Sequence, residues 1–96
     1  LAKNPNCAAA YAEDGWIWKT AGDMPRAQSR YQQALSLDPS DTRTLVELAF
    51  VYEKLYRPDR SLVLYQRALE INPHQLAVKK DLERLRSSGT PLPHPD

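Results

Sequence analysis

The sequence predicts an all-α fold, an α-solenoid of two helix-turn-helix repeats followed by a C-terminal capping helix. Three observations carry this. Prolines stand at Pro5, Pro39 and Pro73, each after Asn or Asp, and both intervals are thirty-four residues. Sliding the chain by that interval superposes Glu13 on Glu47, Arg26 on Arg60, Tyr31 on Tyr65, Gln32 on Gln66, Ala34 on Ala68 and Leu35 on Leu69, with Gly15 on Ala49, Trp16 on Phe50, Ile17 on Val51 and Trp18 on Tyr52 as matches in kind. Self-similarity at a period of this size marks stacked supersecondary units, each able to bury its face only against a neighbour. Within each unit the small and apolar residues recur three to four apart, the period of a helix buried on one side.

The first repeat spans about 8–41. Tyr11, Asp14, Gly15 and Trp18 share a helical face up to a break at Gly22-Asp23, and Ala27, Tyr31, Ala34 and Leu35 share another after it. Asp23 is placed to cap the second helix by accepting backbone N–H bonds, and Pro25 suits a first turn, where its missing N–H has no intrahelical partner to lose. Asp38-Pro39-Ser40-Asp41 ends that helix, because the residue before proline is pushed out of the α region, and then caps the next. The second repeat, about 42–75, follows the same plan, with a helix from Ser40 or Asp41 to about Tyr56, a break at Arg57-Pro58, and a helix from Asp59 to Ile71. A fifth helix is expected to open near His74 and run to about 87. Its Leu76, Val78, Leu82 and Leu85 can face the preceding hairpin, while Lys79 and Arg86 stand where a further repeat would carry large apolar groups, so the array terminates there. The repeats and cap make one domain over 1–87, and a Pro-rich tail occupies 88–96.

This pattern resembles the tetratricopeptide repeat, a thirty-four-residue helical hairpin whose copies stack into a right-handed superhelix. The landmarks are Tyr11, Gly15, Trp18, Ala27, Tyr31, Ala34 and Pro39 in one copy and Leu45, Leu48, Ala49, Tyr52, Ser61, Tyr65, Ala68 and Pro73 in the next. Ala and Gly let helix backbones approach and the rings fill the remaining volume, so these positions read as core. Asp14 departs from the family's usual Leu, as expected of an unpaired edge or of a face that meets a preceding repeat.

The resemblance implies that the first helix of each hairpin lines a concave groove. On this sequence that places Ala12, Glu13, Trp16 and Lys19 beside Arg43, Val46, Glu47, Phe50 and Lys54, with Arg84 extending the strip along the fifth helix. Trp16 and Phe50 occupy equivalent positions on inner helices whose axes should lie about 10 Å apart. Two rings on a solvent-facing wall, flanked by charges, suit a peptide-binding hot spot. The other reading is that they pack on the wall or cover an interface with an upstream repeat. The set of groove residues with which family members grip the C-terminal carboxylate of heat-shock chaperones is replaced here by Ala12, Trp16, Glu47, Ala77 and Asp81, none of which matches.

Charge and composition exclude other classes. Thirteen Lys and Arg against twelve Asp and Glu leave a net charge of +1, too small and too evenly spread for a nucleic-acid or anionic-membrane footprint. No apolar run approaches the roughly 18 residues of a membrane span, and the expectation is a soluble chain without membrane insertion. One cysteine permits neither an intrachain disulfide nor a thiolate zinc site. Cys7, His74 and His94 lie at no catalytic or metal-ligand spacing, and the three glycines are too scattered to form a phosphate loop. No catalytic residue, metal or cofactor is therefore expected, and Glu13 and Glu47 read as solvated or ion-paired acids.

The functional expectation is a protein-interaction module taking a peptide or partner helix as an adaptor or assembly scaffold. The alternative is an architectural segment that packs on its own parent chain or on a twin. Asn4-Pro5 reads as the end of an earlier repeat, which would leave the first helix open to homodimer formation. Alternating prolines favour an extended tail, and Pro91 to Pro95 are candidates for docking in a groove.

Overall fold

The structure, a computed structural model, describes residues 7–87. Five helices follow one another: α1 (Ala8–Thr20), α2 (Met24–Leu37), α3 (Thr42–Lys54), α4 (Pro58–Ile71) and α5 (Leu76–Ser87). Among the described residues there is no strand. α1 packs along α2 and α3 along α4 to make two hairpins, α2 joins the hairpins by packing on α3, α4 receives α5, and α1 touches α3 only lightly. The stack is therefore an α-solenoid with α1 and α3 on one side and α2 and α4 on the other.

Local chemistry sets most of the helix ends. Asp23 accepts the Arg26 N–H at 3.1 Å, with Pro25 inside the first turn of α2. Asp41 caps α3 by accepting the Arg43 N–H at 3.2 Å and the Thr44 hydroxyl at 2.8 Å, so the helix proper begins at Thr42 rather than one or two residues earlier. Pro58 opens α4, one residue ahead of Asp59. The fifth helix departs further from expectation. It starts at Leu76, two residues beyond His74, because the Asn72 side chain takes the His74 N–H at 3.3 Å and holds the chain in a turn. Leu76 is also 63% exposed, leaving Val78, Leu82 and Leu85 to face the hairpin.

Two apolar clusters share α3 between them. Leu45 and Ala49 join Leu62, Tyr65 and Ala68 of α4 and the apolar face of α5. Leu48, Val51 and Tyr52 face the other way and meet Ala27 and Tyr31 of α2. The small residues act as expected from helix crossing: Ala27, Ala49 and Ala68 have no exposed surface. Gly15 is closer still, since a Cβ there would lie 2.9 Å from the Tyr31 ring.

The Asp14 departure is answered inside its own hairpin. Asp14 pairs with Arg30 at 2.8 Å. One repeat later the same two positions are Leu48 and Leu64, both part of the apolar cluster against α2. An ion pair thus takes the place of an apolar pair on the first hairpin. Beside it Ile17 is 52% exposed, whereas Val51 at the equivalent position is fully buried.

The turns differ in one respect. Gly22 has φ +89° and its counterpart Tyr56 has φ +62°, so a tyrosine holds a left-handed conformation that L side chains disfavour by about 1–2 kcal/mol. Tyr56 is 90% exposed and loses little packing on replacement. Tyr56→Gly is expected to raise stability by about 0.5–1 kcal/mol, the strain relieved less the added chain entropy of glycine. A urea midpoint unchanged or lowered in the variant would contradict this.

Candidate functional site

The inner helices present a trough. Ala9, Ala10, Ala12, Glu13 and Trp16 of α1 face Arg43, Thr44 and Glu47 of α3 across an open cavity of about 690 Å³, with Tyr31 of α2 at its floor. A smaller hollow of about 400 Å³ continues between α3 and α5, where Arg43, Val46 and Glu47 meet Leu76, Ala77 and Val78. The reason for the difference in size is in the sequence. Ala9, Ala10 and Ala12 occupy the repeat positions that Arg43, Thr44 and Val46 hold on α3, so α1 leaves empty what larger side chains fill one unit later.

Ion pairs tie the trough together. Lys19 of α1 bonds to Glu47 of α3, and Arg84 of α5 bonds to Glu53 of α3 at 2.9 Å and to Asp81 at 3.3 Å. The hydrogen bond to Glu53 is the main reason the Arg84 guanidinium titrates above its ordinary value. Phe50 lies between two ammonium groups, with Lys19 and Lys54 at 5.2 and 5.1 Å from its ring centre. Trp16 and Phe50 remain 47% and 38% exposed.

Of the ten positions expected to line the groove, six border the two hollows and Lys19, Phe50, Lys54 and Arg84 border neither. Ala12, Glu13, Trp16, Arg43 and Glu47 share the large cavity, Val46 borders the smaller one, Lys19 and Lys54 flank Phe50, and Arg84 lies at the α5 end. Among the described residues Trp16 and Phe50 make no ring contact with each other; Lys19 and Lys54 are the charged groups over the Phe50 ring. Trp18 belongs to the hairpin and carries the Arg26 guanidinium 4.7 Å from its ring centre.

Sequence reasoning took Tyr31 and Tyr65 as equivalent core rings, and in packing they are, each 1% exposed. Their hydroxyls differ. Tyr65 donates to Glu53 at 2.7 Å, while the buried Tyr31 hydroxyl, with Glu47 as its acidic neighbour, completes no hydrogen bond of good geometry. Lys19 stands at the repeat position of Glu53 and supplies no acceptor. Both phenols titrate well above the usual tyrosine range, Tyr65 through burial and then its bond to Glu53, Tyr31 through burial and then the charge of Glu47. Both are neutral donors at any ordinary pH. The Lys19 and Glu53 exchange was visible in the thirty-four-residue alignment and is the signal that marks Tyr31.

Among the described residues no cluster of three or more His, Cys, Asp or Glu could hold a metal ion, and no helix is long and apolar enough to cross a membrane. Cys7 is a free thiol at the edge of the cavity. Residues 88–96, with His94 and the proposed docking segment Pro91 to Pro95, and the Asn4-Pro5 pair lie outside the described residues.

Stacked antiparallel hairpins with small residues at their crossings, repeating at a fixed interval and leaving an inner trough, define a helical-repeat protein. A sequence profile of the tetratricopeptide repeat matches residues 20–85, and the chain belongs to that family. The chain is 32% identical over 78 residues to photosystem I assembly protein Ycf3 of Synechococcus sp. strain CC9605, covering 78% of this chain and 45% of that protein. It is 36% identical over 76 residues to a TPR repeat-containing protein of Methanocaldococcus jannaschii, covering 76% of this chain and 13% of the relative. The chain therefore spans less than half the length of these relatives. The crystal structure of MamA superposes with a TM-score of 0.85 at 18% identity, covering 91% of this chain and 52% of that one, a likeness of fold.

Proposed function

We propose that the trough binds an extended or helical peptide segment of another protein and that the module works as an adaptor or assembly scaffold. The observation that supports this is the half-exposure of Trp16 and Phe50 on adjoining inner helices, with Trp16 on an open cavity, in a fold that buries Tyr31, Tyr52 and Tyr65. Exposed rings within a polar rim are the surface from which a few residues supply most of the binding energy. Ala12, Glu13, Lys19, Arg43, Val46, Glu47, Lys54 and Arg84 would form that rim. Its charges are of both signs, two acids and four bases, and two of the bases, Lys19 and Arg84, are already paired with acids of α3, which suits a protein segment better than a polyanion. The assembly role in the name of the Ycf3 relatives supports the scaffold part of the reading.

The test is a displayed peptide library selected on the immobilised chain, each selected peptide then titrated while indole fluorescence is followed in a Trp18→Phe background, so that Trp16 reports alone. Saturable change at Trp16 is the expected result. Selected peptides that leave Trp16 unmoved would overturn the reading.

A second reading is favoured by Ile17, exposed where its counterpart is buried: an architectural segment that packs on a second copy through α1. Light scattering behind size exclusion checks it. A dimer at high concentration that Ile17→Lys dissolves, with no peptide selected, would replace the first reading with this one.

A further inference from the structure

One repeat position of the inner helices carries Ala9 on α1, Arg43 on α3 and Ala77 on α5. Ala9 lines the large cavity, Ala77 lines the smaller hollow, and Arg43 borders both. A single exposed guanidinium thus stands between two recesses walled by small residues. It is also uncommitted. Of the other bases along the strip, Lys19 bonds to Glu47, Arg84 bonds to Glu53 and Asp81, and Lys54 lies over the Phe50 ring. The Arg43 side chain has no ion pair, hydrogen bond or ring contact among the described residues. The acids nearest to it along α3 are occupied: Asp41 accepts the Arg43 N–H and the Thr44 hydroxyl, and Glu47 bonds to Lys19.

We infer that Arg43 selects a guest segment with an acidic side chain, Asp or Glu, set between two apolar side chains that enter the recesses on either side. The inference rests on the peptide-binding reading above. A guanidinium presents a planar fork of N–H donors that a carboxylate can accept in pairs, a match that a neutral amide or hydroxyl does not equal. An ammonium at that place would meet a like charge. The recesses supply the apolar part, with Ala9, Ala12 and Trp16 on one side of Arg43 and Val46, Leu76 and Val78 on the other. Leu76 is 63% exposed and gains most from being covered. Inner helices about 10 Å apart put the recess centres at about that separation. An extended segment sets alternate side chains on one face about 7 Å apart, so apolar, acidic and apolar groups at alternate places cover both recesses and the guanidinium between them. Glu13 is likewise unpaired among the described residues, and on the α1 wall of the cavity it opposes a second acid, which separates such a guest from a uniform polyanion.

The experiment titrates the acetylated and amidated heptapeptide Ser-Leu-Ser-Glu-Ser-Leu-Ser, and versions with Gln or Lys in place of Glu, into the nitrogen-15-labelled chain. The Glu probe should shift the backbone amides of Ala9, Arg43 and Ala77 and bind at least about threefold tighter than the Gln probe, within the range of an exposed ion pair. Arg43→Glu should reverse the order, so that the Lys probe binds tightest; a glutamate in the first turn of α3 suits a helix N-terminus, so the fold is kept. Arg86→Glu makes the same change of charge at an exposed site bordering neither hollow, and should leave the Glu probe first. A Gln probe with a free C-terminal carboxylate should bind no better than its amide; if it equals the Glu probe, the site reads a chain end and the inference fails. Equal binding of the Glu and Gln probes, a Lys preference in the parent chain, a Glu preference that survives Arg43→Glu, or no shift at the three amides would each overturn it. If library-selected peptides still move Trp16 while the Glu probe shows no preference, the Arg43 assignment alone fails; if neither selected peptides nor probes move any groove residue, peptide docking fails with it.

Discussion

Tyr65→Ala is expected to remove about 3–5 kcal/mol of folding stability, the range for truncating a large buried aromatic. Tyr65 is 1% exposed and packs in the cluster that joins α3, α4 and α5, so its loss opens a cavity between three helices at once. A domain of this size holds only about 5–15 kcal/mol in total, and the variant should be largely unfolded in mild urea as followed by helical circular dichroism. A loss under about 1 kcal/mol would mean that α5 does not pack as described. The phenylalanine variants refine the point. Tyr65→Phe gives up the 2.7 Å bond to Glu53 and should lose about 1–2 kcal/mol, whereas Tyr31→Phe discards a hydroxyl that completes no hydrogen bond of good geometry and should be neutral or slightly stabilising. Two tyrosines at one repeat position would then respond in different directions, which ring burial alone does not predict.

The other large effect concerns binding. Trp16→Ala or Phe50→Ala should each weaken a groove peptide by about 2 kcal/mol or more, roughly thirtyfold in Kd, if the rings are hot spots. Neither ring belongs to either apolar cluster, so helical content and urea midpoint should change little in both variants. Ile17→Ala supplies the control: the side chain is as exposed as Trp16 yet borders neither hollow, and its removal should leave Kd within about twofold. Lys54→Ala, which takes one of two cations from the Phe50 ring, should have an intermediate and salt-dependent effect. Calorimetric titration of each variant decides the matter, and a Trp16→Ala Kd equal to that of the parent would remove that ring from the site.

Much of the architecture was legible because the repeat compares the chain with itself. Ala27 with Ser61, Ala34 with Ala68 and Tyr31 with Tyr65 announce the same crossing twice, and all six are buried. The start of α5 was less legible, since His74 is an acceptable helix residue and only the Asn72 side chain, which holds the turn, delays it. Applying the repeat interval to Thr42 gives Leu76 directly, so symmetry was the better guide there than residue preference. For the groove, the family resemblance assigned the strip to α1, α3 and α5, but neither it nor the helical period says that Lys19 bonds across to Glu47. That choice depends on how near two neighbouring helices come, a distance no single helix encodes. The Tyr31 hydroxyl is the same kind of omission: burial was readable from spacing, whereas the loss of the Glu53 counterpart emerges only from comparing positions 19 and 53.

The two sides of the stack are held by different forces. Away from the trough α2 and α3 meet through an apolar wall, which resists separation and is not screened by salt. On the inner side α1 and α3 barely touch and are bridged by the partly buried pair of Lys19 and Glu47, a single polar contact in place of a packed face. The molecule is therefore built like a bound book, with a rigid spine and loosely clasped pages. The dimension most easily changed is thus the distance between α1 and α3, the width of the trough, while the α2–α3 spacing is fixed by packing.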